Sequence, residues 1–241
     1  MKLANSVNSA KSAGKVVGVL FILAAASSIL ALILYSPILK DTGYLDNGAA
    51  HANQVILGAL MELILVVAAV GTSITMFPFL RRYNESIALG HVLFRFMEAV
   101  VITIGIVSIL SLLTLSRDYV AAGALDPAPY LASGTVLQAV HDWTFMLGPN
   151  FMLGINTFMY SYIFYRTKLV PRFISILGMT GGVSVFLASL LEMFGVFSQL
   201  SVWGALFSLP VAANEMILAV YLIVKGFNES AVARLFKSQV V

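Results

Sequence analysis

Six predominantly apolar stretches, each 20 residues or longer, constrain this chain more than anything else in it. They run from Val16 to Tyr35, Val55 to Leu80, Ile87 to Leu115, Val136 to Tyr165, Phe173 to Val196 and Val202 to Val224. A helix of about 20 residues crosses a bilayer core roughly 30 Å thick, so each stretch predicts a membrane-spanning helix. Lipid cannot satisfy open backbone groups, and the stretches are too long and too continuously apolar to be barrel strands. The expected fold is therefore all-α: an integral membrane bundle of six transmembrane helices, one transmembrane domain over residues 1–241, with short basic tails at 1–14 and 226–241. The third and fourth stretches, 29 and 30 residues long, exceed a perpendicular crossing and imply tilt or ends that project into water.

Composition agrees. Charged residues make up 10% of the chain, where a soluble domain has about 25%. The lack of cysteine rules out a disulfide scaffold and a thiolate metal or redox site. The 14 lysines and arginines are spread along the chain rather than gathered on one face, which argues against a nucleic-acid partner and leaves membrane lipid as the expected one. Their positions report topology. Lys2, Lys11, Lys15, Arg81, Arg82, Arg166, Lys168, Arg172, Lys225, Arg234 and Lys237 fall on one side, and Lys40 and Arg117 on the other. By the positive-inside rule both termini and the turns at Arg81 to Ser86 and Arg166 to Arg172 are cytoplasmic. The external loops are then Ser36 to Gln54 and Ser116 to Thr135, with Asp41, Asp46, Asp118 and Asp126. The first stretch begins like a signal peptide, but its apolar core is too long and the Ala50-His51-Ala52 triplet too distant for cleavage, so it reads as an uncleaved helix.

The informative residues are ionisable groups inside the spans, each of which costs about 2.5 to 3.5 kcal/mol at the bilayer centre on insertion scales. These are Arg95, Glu62, Glu98, Asp142, Glu192 and Glu215. Counting ~1.5 Å per residue from the basic ends, Glu98 and Glu215 fall near the middle of the membrane, with Arg95 one turn nearer the cytoplasm. His91, Arg95 and Glu98 share a helix face, so Arg95 can reach Glu98 along its own helix and Glu215 across the bundle. The expected buried polar centre is thus Arg95, Glu98 and Glu215. It would hold a ligand headgroup or relay protons, or else it is a structural ion pair that fixes helix register. His91, close to the inner surface, reads as interfacial.

An outer polar layer follows from the same arithmetic: Glu62, His141, Asp142 and Glu192. Imidazole with carboxylates could hold a divalent metal as cofactor or form an acid and base pair. The pattern lacks a second histidine, Asp142 points about 100° away from His141, and water-facing helix ends would look the same. Trp143 and Trp203 read as interface anchors. Gly148, Pro149 and Asn150 predict a bend or local opening of the fourth helix, which could line a cavity. Asn156 would share a face with Pro149 and Asp142 if the helix continues. Gly178 and Gly182 form a GxxxG, a mark of close helix approach. Phosphate-loop and nucleophile-elbow patterns are absent.

The stretches FPFLRRYNESIALGHVLFRFMEAV, HDWTFMLGPNFMLGINTFMYSYIFYRTKLVPRFISILGMTGG and EMILAVYLIVKGF resemble the domain-of-unknown-function 4386 family of prokaryotic membrane proteins. The resemblance spans about residues 12 to 228. Arg95, Glu98, His141, Pro171, Arg172, Glu215 and Lys225 match that family's pattern. The resemblance implies a protein of the inner (plasma) membrane with six, or in some members seven, helices, and it implies no activity.

Three functions fit these residues. The preferred one is a non-enzymatic protein that binds or moves a small amphiphile or ion through a polar cavity. The alternatives are an intramembrane hydrolase, metal-assisted in one form, with an outward-facing site, and a structural or regulatory subunit.

Overall fold

A computed structural model describes residues 2–39 and 43–237, with the side chains of residues 2–8 outside that description. Lys40, Asp41 and the Lys2 side chain, which entered the topology argument, lie outside the described residues, as do residues 238–241 of the basic tail. All regular structure among the described residues is helical. The elements are α1 (Lys2–Leu34), α2 (Ser36–Leu39), α3 (Tyr44–Ala50), α4 (Ala52–Leu80), α5 (Glu85–Ala121), α6 (Ala128–Met146), a π-helical turn (Leu147–Met152), α7 (Leu153–Thr167), α8 (Arg172–Met193), α9 (Val202–Val224) and α10 (Glu229–Lys237). Five segments are individually long and apolar enough to cross a membrane: Ser9–Leu34 of α1, and all of α4, α5, α8 and α9. The fourth apolar stretch is built from α6, the π turn and α7, which follow one another without a break, so six crossings are consistent with the structure.

Several helices outrun their apolar stretches, because a backbone hydrogen bond needs no lipid once a helix has started. What stops them is capping chemistry. The Asn84 side chain accepts from the Ile87 amide (2.9 Å) to start α5, and Ser201 accepts from Gly204 (3.2 Å) to start α9. The α7 helix ends at Lys168, a non-glycine residue in left-handed conformation (φ 60°) whose amide still reaches the Phe164 carbonyl. The stretch read as a C-terminal tail contains α10, capped by the Asn228 side chain accepting from Ser230 and Ala231 amides.

The chain gathers into two compact units. The first comprises Met1–Ile22, Ala68–Glu98 and Met146–Val241; the second comprises Leu23–Val67 and Ala99–Phe145. Each has its own apolar core, that of the first around Phe21, Met76, Tyr160, Phe164, Leu218 and Phe227. Here α7 and α8 pack backbone to backbone: a Cβ added to Gly182 would lie 2.7 Å from the Gly154 carbonyl, and one on Gly154 would lie 2.7 Å from that of Gly182. Glycine is required at both positions. At the C-terminal end Ala231 and Val232 of α10 are buried, and Phe236 meets Phe79 with the Arg82 guanidinium 4.8 Å from its ring.

The second unit centres on Tyr35, Ile38, Tyr44, Ile109 and Leu112. The Ser108 hydroxyl donates to the Leu137 carbonyl (2.6 Å), tying α5 to α6, and Ser116 donates to the Leu45 carbonyl. The Tyr44 phenol, in the loop region, is pushed above its usual range by burial. In both units large apolar side chains such as Leu30, Val67, Ile104, Leu209 and Val220 stand exposed along the long helices. Bilayer lipid is the solvent such faces require.

Candidate functional site

In the first unit α5 presents His91, Arg95 and Glu98 inward from one face, with 1%, 3% and 3% of each residue exposed. The guanidinium is held on every side. Its Nη1 donates to both Glu98 oxygens (3.1 and 3.0 Å), its Nε donates to the Ala69 carbonyl of α4 (3.3 Å), and its Nη2 lies 3.7 Å from Glu215 Oε1 of α9. The Phe21 ring of α1 lies 5.9 Å beneath it. Glu98 also accepts from the Asn156 amide group of α7 (2.6 Å), which donates in addition to the Met152 carbonyl (3.1 Å).

The sequence thus placed Arg95, Glu98 and Glu215 where the structure brings them together, and Asn156 joins them from the helix read as bent. His91 differs from its interfacial reading. It is enclosed, with its ring 5.4 Å from that of Tyr160, because it shares the inward face of α5 with Arg95 and Glu98.

Two carboxylates and one guanidinium leave this centre one negative charge in excess. At an effective dielectric constant near 20 a contact pair ~4 Å apart gains about 4 kcal/mol, while each buried ion costs several kcal/mol in lost hydration. Glu98, which accepts three hydrogen bonds, meets that cost. Glu215 has the longer contact alone; its Oε1 is buried without a hydrogen bond, while 18% of its side chain stays exposed. It is the unsaturated, partly open member.

Two residues that the sequence did not flag extend the centre. The Tyr160 hydroxyl donates to Asn214 Oδ1 (3.0 Å), and Asn214 Nδ2 donates to the Ile174 carbonyl of α8 (2.7 Å). Both were legible in hindsight: Tyr160 lies one turn after Asn156, and Asn214 precedes Glu215 inside an apolar span.

The second unit holds a different arrangement. Tyr35, at the end of α1, donates to Glu62 Oε2 of α4 (2.8 Å). The His141 ring of α6 stands edge-on to Tyr35 (centroids 6.3 Å apart) and stacks on Phe145. Asp142 approaches His141 only at 3.4 Å, and its side chain is 76% exposed. Tyr35 was missed because nothing local links it to a carboxylate 27 positions later. Glu192, the remaining member of the outer layer, lies in the first unit, where it accepts from the Asn150 amide group (3.1 Å).

Gly148, Pro149 and Asn150 sit within the π turn. Its winding is wider than that of an α-helix, so the seven-residue count linking Asp142, Pro149 and Asn156 does not carry through it. Asp142 is exposed and Asn156 is buried. Beyond the turn, an apolar cavity of about 240 Å³ opens between α7 and α8, lined by Gly154, Phe158, Gly182, Phe186 and their neighbours.

A family model described as a domain of unknown function (DUF4386) matches residues 16–226, nearly the whole chain. The chain belongs to the DUF4386 family. No curated protein and no solved structure matched it. Every residue of both polar arrangements of this DUF4386 protein lies inside the matched segment. Among its described residues no three or more histidines, aspartates or glutamates gather into a metal-ligand set.

Proposed function

We propose that this DUF4386 protein is a carrier of the inner (plasma) membrane that binds and moves a small ion or amphiphile through the Arg95, Glu98 and Glu215 centre. One observation carries the reading: two carboxylates face a single guanidinium, and the second of them, Glu215, is unsaturated and partly open. An uncompensated buried charge is costly to a centre that only packs helices, whereas a binding centre needs a group still able to accept a partner. The apolar cavity between α7 and α8 adds a surface suited to the alkyl part of an amphiphile. Orientation, with both termini cytoplasmic, rests on the eleven-to-two distribution of basic residues. Reporter fusions after Arg82, after Arg172 and at the C-terminus are then cytoplasmic, and those at Gly48 and Ala128 external.

The test is electrical. Proteoliposomes on a solid-supported membrane are given concentration jumps of protons, alkali ions, and small amphiphilic amines and acids. Wild type gives a transient current with at least one of these, and Glu215→Gln loses it with the fold intact. Silence to all of them, together with an apolar replacement of the centre that is as stable as wild type, would leave Arg95, Glu98 and Glu215 a packing role only.

A hydrolase reading draws on Tyr35, Glu62 and His141, which pair a carboxylate with a nearby imidazole. No metal-ligand set gathers around them among the described residues, and this reading ranks below the carrier.

A further inference from the structure

The buried face of α7 is polar well beyond its contact with Glu98. Asn156, Thr157, Tyr160 and Ser161 occupy it at spacings of one, three and one residues, and each is at most 1% exposed. Tyr160 and Asn214 then link it to the Ile174 carbonyl. Next to Ile174, in the first turn of α8, stands Ser175, also 1% exposed. Gly178, one turn further, adds no side chain: a Cβ there would overlap the Ser161 hydroxyl and lie 3.0 Å from Asn214 Oδ1.

Along this row Asn156 Oδ1 and the Ser175 hydroxyl have no protein hydrogen-bond partner, and at its head neither does Glu215 Oε1, while the Thr157 and Ser161 hydroxyls interact with Tyr160 and His91 with the Asn156 backbone. An unmatched buried polar group costs about 1 to 3 kcal/mol. Groups of this kind, lined up with other buried hydroxyls on one face of one unit, are the ones internal water binds, at about three hydrogen bonds per molecule.

We propose that the charge this centre takes up is a proton, held on the Glu215 and Glu98 pair and carried there along the α7 row from the end where α7 turns into α8. This rests on the carrier reading and names its ion. Chemistry favours a proton over an alkali cation. The groups turned toward Glu98 are N–H donors, Nη1 of Arg95 and Nδ2 of Asn156, and Glu215 Oε1 faces the Arg95 guanidinium. An alkali cation needs oxygens there and would sit against a fixed positive charge. A proton needs only a lone pair on Oε1.

The step is simple. A proton leaves a hydroxyl or water of the row, whose oxygen is reprotonated from behind, and forms an O–H bond to a Glu215 carboxylate oxygen. Arg95 stays protonated throughout, nothing is oxidised, and the centre passes from one net negative charge to none. The charged and titratable groups facing Glu215 are Arg95 and Glu98 of α5 and Tyr160 of α7, with His91 packed on Tyr160. From α8 the row receives Ser175 and from α1 the centre receives Phe21.

Infrared difference spectroscopy on the full chain in lipid reads this directly, without knowledge of a cargo. A protonated carboxyl C=O band is expected in wild type, titrating with pH, absent in Glu215→Gln and shifted in Glu98→Gln. On transfer to heavy water its isotope shift is expected to slow about tenfold or more in Tyr160→Phe and in the Ser161→Ala, Ser175→Ala double variant, as loss of a positioned proton-transfer group would do. Exposed Ser133→Ala leaves it unchanged. A folded wild type with no such band, a band that follows sodium rather than pH, or exchange equally fast in every variant would overturn the proposal. The band with no current in the transport assay would defeat the carrier reading and keep the proton site. Current without the band would do the reverse.

Discussion

Arg95 and Glu62 are both ionisable side chains in helices of membrane length, yet the two units treat them oppositely. Arg95 touches two carboxylates, a backbone carbonyl and a ring face. Glu62 has one hydroxyl, that of Tyr35, and an imidazole nearby. In the first unit, charge is met by charge, so removal of Arg95 strands two carboxylates at once. In the second, a carboxyl group is met by a neutral donor, so a removal costs one hydrogen bond. Where burial is complete, the protein spends residues on compensation; where it is partial, as at Glu62, a single partner suffices.

The contrast is breakable by substitution. The largest effect is expected for Arg95→Met, which strands Glu98 and Glu215 and should destabilise the protein by about 3 to 5 kcal/mol in thermal unfolding in detergent. Adding Glu98→Gln should restore part of that loss. If the double variant is instead as unstable as the two singles summed, the residues are uncoupled and the contrast fails. Next comes Gly182→Val in the first unit, expected to cost about 1 to 3 kcal/mol or more, since the atom it meets is the unyielding Gly154 carbonyl. Gly58→Ala in the second unit meets the Tyr35 ring instead, and the same assay should show it to be milder.

Tyr35→Phe should cost about 0.5 to 1.5 kcal/mol, the value of one neutral hydrogen bond. A loss as large as that of Arg95→Met would show that Glu62 is as dependent on its partner as Glu98 is. The smallest effect is expected at Asp142, exposed and loosely placed beside His141: Asp142→Asn should change stability by about 0.5 kcal/mol or less.

The six spans were legible because lipid imposes a length on any crossing helix, and a count of apolar residues recovers it. Overruns such as Arg117 to Ala121 of α5 were not, since their helicity comes from backbone propagation and caps. A search for membrane-length stretches also passes over α10, nine residues with Arg234 and Lys237 in its last turn. Charge in an apolar span is conspicuous, so Arg95, Glu98 and Glu215 could be paired from spacing and depth. Tyr160, Asn214 and Tyr35 are polar without charge; a transmembrane helix tolerates such residues singly, and only the fold shows that these have partners. The phase relation between Asp142 and Asn156 failed for a local reason: Pro149 forbids one amide hydrogen bond, and the chain widens to a π turn there.

The order in which the chain is made gives the two units different histories. The second unit ends at Phe145, so all of it has been synthesised about 70 residues before Glu215 is made, a delay of about 4 to 14 s at typical elongation rates of about 5 to 20 residues per second. The first unit takes its opening residues from α1 and its closing ones from α9 and α10, with Phe227 and Val232 buried in the same core as Val17 and Phe21. It cannot close until α10 has been made. Through that interval α5 waits in the bilayer with Arg95 and Glu98 as each other's ionic partner, until Glu215 of α9 arrives.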